Sequence, residues 1–291
     1  MGNIDAYKYL RIAYMSNIFL SIPLRHPPTG TPVRGSKPVP PVVTSGRLTR
    51  ALAVGRRKSG RTKEVDLRKK WTMDYAPSDG HGLPHDPFKA CTVPRPIGWL
   101  STISADHVSN LAPFSQYQNM TWDPPMVMFA ANQSVLGGKK DTVRNAEETG
   151  WFVWNMATWD LREAVNLSSR AFGLEIDEFE ATGLERERCV KAPGYRVKAS
   201  PAHFECRYIQ TIHIPAASRV PSVDLVIGRV EHVHIDDAVI TADGKLDIHK
   251  IKPIARLGYY DFTVVDNVFE MVPPGASAEE LAGLEGTSIM P

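Results

Sequence analysis

The run from Val93 to Ala131 constrains this chain more than any other part of it. It reads as apolar, β-prone segments carrying hydroxyls, broken by a polar turn between Ala105 and Ser109 and again at Asp123-Pro124-Pro125. Strands are predicted at about 97–104, 109–118 and 125–131. Antiparallel strands that carry small hydroxyl side chains and bare backbone amides can hold a flat, hydrogen-bonding ring.

The rest of the chain fits a mainly β fold with helical additions. Asp141 to Gly150 reads as a short helix, with Asp141 or Thr142 as N-cap and Gly150 closing it. Trp151 to Met156 follows as a buried strand, and Thr158 is placed to cap a second helix in which Leu161, Ala164, Val165 and Ser168 recur at helical spacing. An acidic loop, Glu175 to Glu187, separates it from strands expected at about 202–214 and 224–235. Ile254 to Val265 reads as a turn feeding another strand, with an aromatic pair at its start. Several strands with few, short helices point to a β-barrel with helical additions.

Composition divides the chain in two. Residues 1–70 hold 15 Lys and Arg against Asp5, Glu64 and Asp66, which leaves 19 basic and 29 acidic residues in 71–291, so a head of +12 precedes a body of −10. The head contains Pro38-Val39-Pro40-Pro41 and the cluster Arg56 to Lys63 without a sustained period, and reads as a disordered basic extension over 1–72. Three readings of it stay open: an upstream-extended start, with Met73 the natural alternative; an organelle transit peptide; and a nucleic-acid attachment. Residues 73–272 form the expected folded domain, and 273–291 a loose or peripheral tail. No stretch is long and apolar enough for a membrane helix, and Cys91, Cys189 and Cys206 make neither a disulfide framework nor a thiolate metal site, so a soluble, cytoplasmic protein is expected.

The motifs of Rossmann dehydrogenases, P-loop kinases, serine hydrolases and zincins are missing from the sequence. Lys139 and Lys140, however, stand just before the Asp141/Thr142 helix start, where free amides and the helix dipole favour an anion such as a phosphate. The pairs His81/His85 and His232/His234 lack a third ligand, and Glu175, Asp177, Glu178 and Glu180 read as a solvated loop, so no metal site is expected. The six tryptophans read mainly as core, with Trp99 or Trp122 placed to border a ligand or an interface.

The segments Pro94-Arg95-Pro96-Ile97-Gly98-Trp99-Leu100-Ser101-Thr102-Ile103-Ser104, Asn110-Leu111-Ala112-Pro113-Phe114-Ser115, Asp123-Pro124-Pro125-Met126-Val127, Lys140-Asp141-Thr142-Val143-Arg144-Asn145 and Ile254-Ala255-Arg256-Leu257-Gly258-Tyr259 occur in that order. Together they resemble the flavin reductase-like family of FMN-binding split barrels, from about Met73 to Val272. The resemblance implies a split β-barrel, bound FMN, NADH or NADPH as electron donor, and a homodimer with the flavin where two barrels meet. Ser101, Thr102 and Ile103 would lie along the isoalloxazine ring, with Phe114 and Ser115 at the next strand. Lys140 and Thr142 would face the FMN phosphate, helped by Arg95, and Tyr259 would lie near the flavin or the neighbouring subunit. The sequence departs from the family at Asp106-His107, where Asp-Gly is usual, and at Gln116-Tyr117-Gln118, where an aromatic pair is usual.

In such a protein the flavin carries the chemistry and no catalytic side chain is required. The resemblance implies an NAD(P)H:flavin reductase. A tight FMN carrier that relays electrons to a partner monooxygenase or other acceptor is the alternative. A nucleic-acid binder driven by the basic head is a third reading, disfavoured by the acidic body.

Overall fold

The computed structural model describes residues 73–134, 138–173, 175–217 and 221–277. The basic head, with the readings attached to it, and the end of the tail lie outside them. Along the chain run α1 (Phe88–Cys91), β1 (Arg95–Pro96), β2 (Gly98–Ile103), β3 (Ser109–Phe114), β4 (Tyr117–Trp122), β5 (Pro125–Asn132), α2 (Asp141–Thr149), β6 (Trp151–Asn155) and α3 (Arg162–Leu167). Then come α4 (Glu178–Thr182), β7 (Arg186–Arg188), β8 (Tyr195–Val197), β9 (Ala202–Ile214), β10 (Val223–Ile235), a 3-10 turn at Asp237–Val239, α5 (Ile248–Ile251), β11 (Ile254–Arg256) and β12 (Phe262–Val264). None of the described helices is long and apolar enough to cross a membrane.

Seven strands form one antiparallel sheet in the order β3-β2-β6-β9-β10-β5-β4. The strands β3 and β4 stand at opposite ends of that order, yet only Ser115 and Gln116 separate them in the chain. The sheet must therefore curl until its ends approach, which makes a barrel with a seam beside β3. Inside it pack Leu100, Tyr117, Phe129, Phe152, Trp154 and Val226, together with Val143 and Ala146 of α2. A second apolar layer, including Trp99, Leu111, Val165, Phe179, Val197 and Ile254, covers the outside of β2 and β3. Covered on both faces, β2 is buried at all six positions and shows none of the alternation of a half-exposed strand.

Local structure corrects several sequence expectations. The expected strand 109–118 is two strands, since the chain turns from one end of the sheet to the other at Ser115-Gln116. Lys140, not Asp141 or Thr142, is the N-cap of α2, and no side chain caps it; Asp141 pairs with Arg144 one turn on, while Thr142 turns inward. Gly150 closes α2 in the left-handed region at φ 78°, as expected. Thr158 does not cap α3, because its backbone bridges to Pro253 and a turn through Trp159 and Asp160 to Leu161 intervenes before the helix begins. The acidic segment expected to be a loop contains α4, capped by the Asp177 carboxylate on the Phe179 amide at 2.9 Å, and β7. Ile254–Arg256 is itself a strand, and the aromatic pair Tyr259-Tyr260 lies in the turn between β11 and β12.

The two departures from the family pattern also find their places. His107 adopts φ 65° in the turn between β2 and β3, a conformation in which glycine is ordinarily favoured. Tyr117 enters the barrel and stacks on Trp154 with ring centroids 5.7 Å apart.

On β9, Glu205 is fully buried and accepts the amides of Val190, Lys191 and Ala192 and His234 Nε2. Burial opposes its charge, but these hydrogen bonds outweigh burial and hold its pKa below the usual carboxylate value. Buried His203 donates to the Val197 carbonyl at 2.8 Å, and burial pulls its pKa to about 4. His81 accepts the Leu83 amide and His85 packs edge-on against Tyr259, whereas His232 and His234 pack edge to face with ring centroids 4.6 Å apart and His234 bonds Glu205.

A register shift falls between Ile227 and Gly228, where Phe152 presses against the β10 backbone. A Cβ on Gly228 would lie 2.4 Å from the Phe152 ring and 3.2 Å from the Arg207 carbonyl. Gly228→Ala is therefore expected to destabilise the fold by roughly 2 kcal/mol through overpacking. Urea unfolding at equal m-value checks this, and an unchanged midpoint would show that the barrel yields there.

Candidate functional site

As an edge strand, β3 pairs only with β2. The unpaired side of such a strand leaves polar backbone groups to be satisfied by something else. At Leu111 the amide donates to Glu178 Oε2 at 3.2 Å, so α4 covers that part of the edge. Past Leu111 the edge runs through Ala112, Pro113 and Phe114 into open cavities.

Beside this edge lies a buried polar network. Asn110 Nδ2 donates to Thr102 Oγ1 at 3.2 Å and to Thr142 Oγ1 at 2.9 Å, while Asn145 Nδ2 donates to Thr102 Oγ1 at 3.1 Å. The network ties β2, β3 and the first turn of α2 together. Because the Thr142 hydroxyl accepts from Asn110, its own proton remains to be donated elsewhere. Asn145 Oδ1 is buried without a hydrogen-bond partner.

A lobe of about 430 Å³, called the narrow lobe only to tell it from its neighbour of equal volume, opens at the start of α2, lined by Phe114, Lys140, Thr142, Arg144, Glu178 and the segment from Ser168 to Phe172 among others. A second, wide lobe, also of about 430 Å³, is lined by Ser115, Trp159, Arg162, Arg256, Tyr260 and Phe262 among others. Pro113 and Ser169 line both, so the lobes adjoin along the β3 edge, facing α3. A third cavity of about 230 Å³ meets the wide lobe at Ser115 and holds Arg95 and Gln116.

The narrow lobe has a cationic rim. Lys139 hydrogen-bonds Glu147, which raises its pKa, whereas Lys140 takes part in no ion pair among the described residues. The uncapped N-terminus of α2 adds amides that point the same way. Glu178 is the opposing group: burial pushes its carboxyl to about 7, Asp141 and Asp177 add to the rise, and hydrogen bonding to the Leu111 amide only partly offsets it. Arg144 and Arg186 pair with Asp141 and Asp177 and temper those charges.

Of the residues singled out from sequence, the structure brings Phe114, Lys140 and Thr142 to the narrow lobe. Thr102 lies behind it, reached through Asn110. Ser101 faces the other side of β2, where its hydroxyl donates to the Tyr195 carbonyl at 2.7 Å and accepts from Asn155, and Ile103 packs beside Gly194. Arg95 spends its guanidinium on the carbonyls of Lys89, Thr92 and Leu257, away from the narrow lobe. Ser115 stands at the mouth of the wide lobe. Tyr259 has φ 54° and packs on His85, while its neighbour Tyr260 lines the wide lobe. Sequence reasoning passed over Asn110, Glu178, Arg162, Arg256 and Tyr260 as site residues. Asn110 and Arg256 lay inside the quoted motifs, whereas Arg162 carried no signal beyond its place three residues after Trp159.

Comparison with known proteins gives this architecture its relatives. An uncharacterized protein of Aquifex aeolicus (strain VF5) is 35% identical over 172 residues, 58% of this chain and 84% of that one. Among solved structures, nitrilotriacetate monooxygenase component B from Bacillus cereus superposes with a TM-score of 0.63 at 25% identity, covering 69% of this chain and 99% of that one. Flavoredoxin of Desulfovibrio vulgaris (Miyazaki F) shares the fold at a TM-score of 0.52 and 20% identity, covering 65% of this chain and 94% of that one. A protein with a split barrel domain from Shewanella frigidimarina NCIMB 400 does so at 0.56 and 21%, covering 64% and 89%. The fold is thus a split β-barrel, and residues 90–260 match the model of the flavin reductase like domain. The chain belongs to the flavin reductase-like family.

Proposed function

We propose that this protein is an FMN-dependent oxidoreductase that takes hydride from NADH or NADPH and acts as a flavin reductase. The observation that carries the reading is the pair of adjoining lobes on the free edge of β3, with an uncapped helix N-terminus and Lys140 at one end. A phosphate fits the narrow lobe: the α2 amides, the Thr142 proton and Lys140 supply donors, and the dipole of a nine-residue helix supplies partial positive charge. Asn110 fixes the orientation of Thr142, and so of the donor. A flat ring extending from that phosphate would lie along Ala112, Pro113 and Phe114 of the strand edge, with the wide lobe open beside it.

Bound FMN would supply the hydride chemistry itself. The protein's part is to bind and orient. Phe114 and Pro113 exclude water from one side of the groove, and Ser115 provides a hydroxyl where the two outer cavities meet. Such positioning and water exclusion account for catalysis without a dedicated acid or base.

A second reading, an FMN carrier serving a partner oxygenase or other acceptor, draws support from the likeness to a protein named as component B of a monooxygenase. The proposal includes a homodimer in the cytoplasm. Its support is the edge strand β4, which leaves Met120 and Trp122 exposed, the latter at 75%. Edge strands with large apolar side chains call for cover, and a second copy supplies it.

Steady-state oxidation of NADH and NADPH with added FMN tests the reading. Turnover is expected with at least one donor; bound yellow flavin with negligible turnover would favour the carrier, and absence of both would end the proposal. Lys140→Ala is expected to weaken FMN binding about tenfold, from loss of a charge-assisted contact to phosphate. Unchanged affinity in a fluorescence titration would remove Lys140 from the site.

Glu178 adds a pH dependence whose sign follows from its raised pKa. Below about pH 7 the group is neutral, and above it a carboxylate faces the narrow lobe together with Asp141, Lys140 and Arg144. Relative to Glu178→Gln, the wild type is expected to lose FMN affinity about threefold as pH rises from roughly 6 to 8, through like-charge repulsion. Parallel affinity–pH curves for the two proteins would show that Glu178 does not sense the ligand.

A further inference from the structure

Whereas Lys139 and Lys140 line the narrow lobe beside Arg144 and Arg170, the wide lobe is lined by arginines and, among the described residues, by no lysine. Its walls carry two guanidinium groups, each laid over an aromatic ring: Arg162 over Trp159 at 4.0 Å from the ring centroid, and Arg256 over Phe262 at 4.5 Å. Arg162 also donates to the Trp159 carbonyl at 2.8 Å, and Arg256 to the Tyr259 carbonyl. Stacking and backbone bonds reduce the conformational freedom that a long cationic side chain would lose on gripping a ligand. Trp159, Phe262 and Tyr260 remain substantially exposed around the cavity, at 43%, 44% and 93%. Large aromatic side chains left open around a concavity mark a binding surface more often than isolated exposed residues do.

From these features we infer that the wide lobe is a binding site for a planar aromatic carboxylate. The planar fork of a guanidinium matches the two oxygens of a carboxylate, which a lysine cannot do. Aromatic walls, with Ile97 and Pro113 beside them, favour a flat apolar ring over a hydrated chain. One acidic residue, Glu163, shares the wall and approaches Arg162 at 3.5 Å, but its side chain is 82% exposed. An ion pair so open to water competes weakly with an incoming carboxylate.

Adjacency through Pro113 and Ser169 sets such a ligand next to whatever occupies the β3 edge. That it serves there as a reactant rests on the flavin reading; that it binds does not.

The test titrates benzoate, its neutral analogue benzamide, and the non-planar cyclohexanecarboxylate into the full chain. Binding is followed by tryptophan fluorescence and calorimetry, with the protein free of flavin and again loaded with FMN. Benzoate is expected to bind at least about tenfold more tightly than either analogue. Arg162→Gln and Arg256→Gln are each expected to weaken benzoate about tenfold and leave benzamide as in the wild type, with Arg162→Lys recovering only part of the loss. Because Arg162 sits at the exposed start of α3, its variants keep the test decisive should Arg256→Gln disturb the β11–β12 turn. Equal affinity for benzoate and benzamide, insensitivity to Arg162→Gln, or strict competition between benzoate and FMN would each overturn the assignment. Benzoate binding to a protein that fails to bind FMN would sustain this site and sink the flavin reading, whereas FMN binding without benzoate would do the reverse.

Discussion

The Asn110 amide is the joint on which the arrangement depends. One nitrogen spans the Thr102 hydroxyl on β2 and the Thr142 hydroxyl on α2, so the strand edge and the helix start are fixed to each other by buried side chains at the wall of the cavity. In a low-dielectric interior such a network is stiff when its members are satisfied, and an unmet polar atom is costly. Asn145 Oδ1, left without a partner beside it, is where this network is incomplete. The helix start consequently does not float over the cavity. It is held to the strand whose edge forms the other wall.

The open edge of β3 follows from topology. Ser115 and Gln116 carry the chain from one end of the strand order to the other, which is possible only if the sheet curls and leaves a seam. Glu178 covers that seam at Leu111 and the outer apolar layer covers β2 and β3 behind it. The remaining edge lies against α3 with two cavities between them. The same geometry that leaves the barrel split thus creates the groove, and the groove inherits its length from the strand.

The barrel was readable in the chain because its signals are local: hydroxyl-bearing apolar runs, the Asp123-Pro124-Pro125 break and Gly150 at a helix end all act within a few residues. What the sequence did not disclose depends on contacts far along the chain. Thr158 has the chemistry of an N-cap, yet a bridge to Pro253, almost a hundred residues later, takes its backbone. Ser101 and Thr102 look interchangeable as hydroxyls, but strand alternation turns one toward Tyr195 and the other toward Asn110. Arg95 reads as a phosphate ligand by type, and becomes a clamp on three carbonyls once Leu257 is brought beside it. Glu178 reads as one acid among several in a solvated segment. Only burial against the β3 edge makes it a group that titrates near neutrality.

Charge shows why the groove must be built locally. Residues 71–291 carry a net charge of −10, so the distant field of the body does not favour an anionic ligand. At physiological ionic strength that field decays over about 8 Å, and the groups that decide binding are those lining the cavities. In the narrow lobe these are Lys139 and Lys140, an uncapped helix start, Arg144 already shared with Asp141, and Arg170 over Phe172, an arrangement suited to a compact, highly charged group. Arginines stacked on rings furnish the wide lobe, an arrangement suited to a planar anion. Two neighbouring cavities of equal volume therefore differ in their cations: lysines and the start of α2 line one beside its arginines, and, among the described residues, arginines alone supply those of the other.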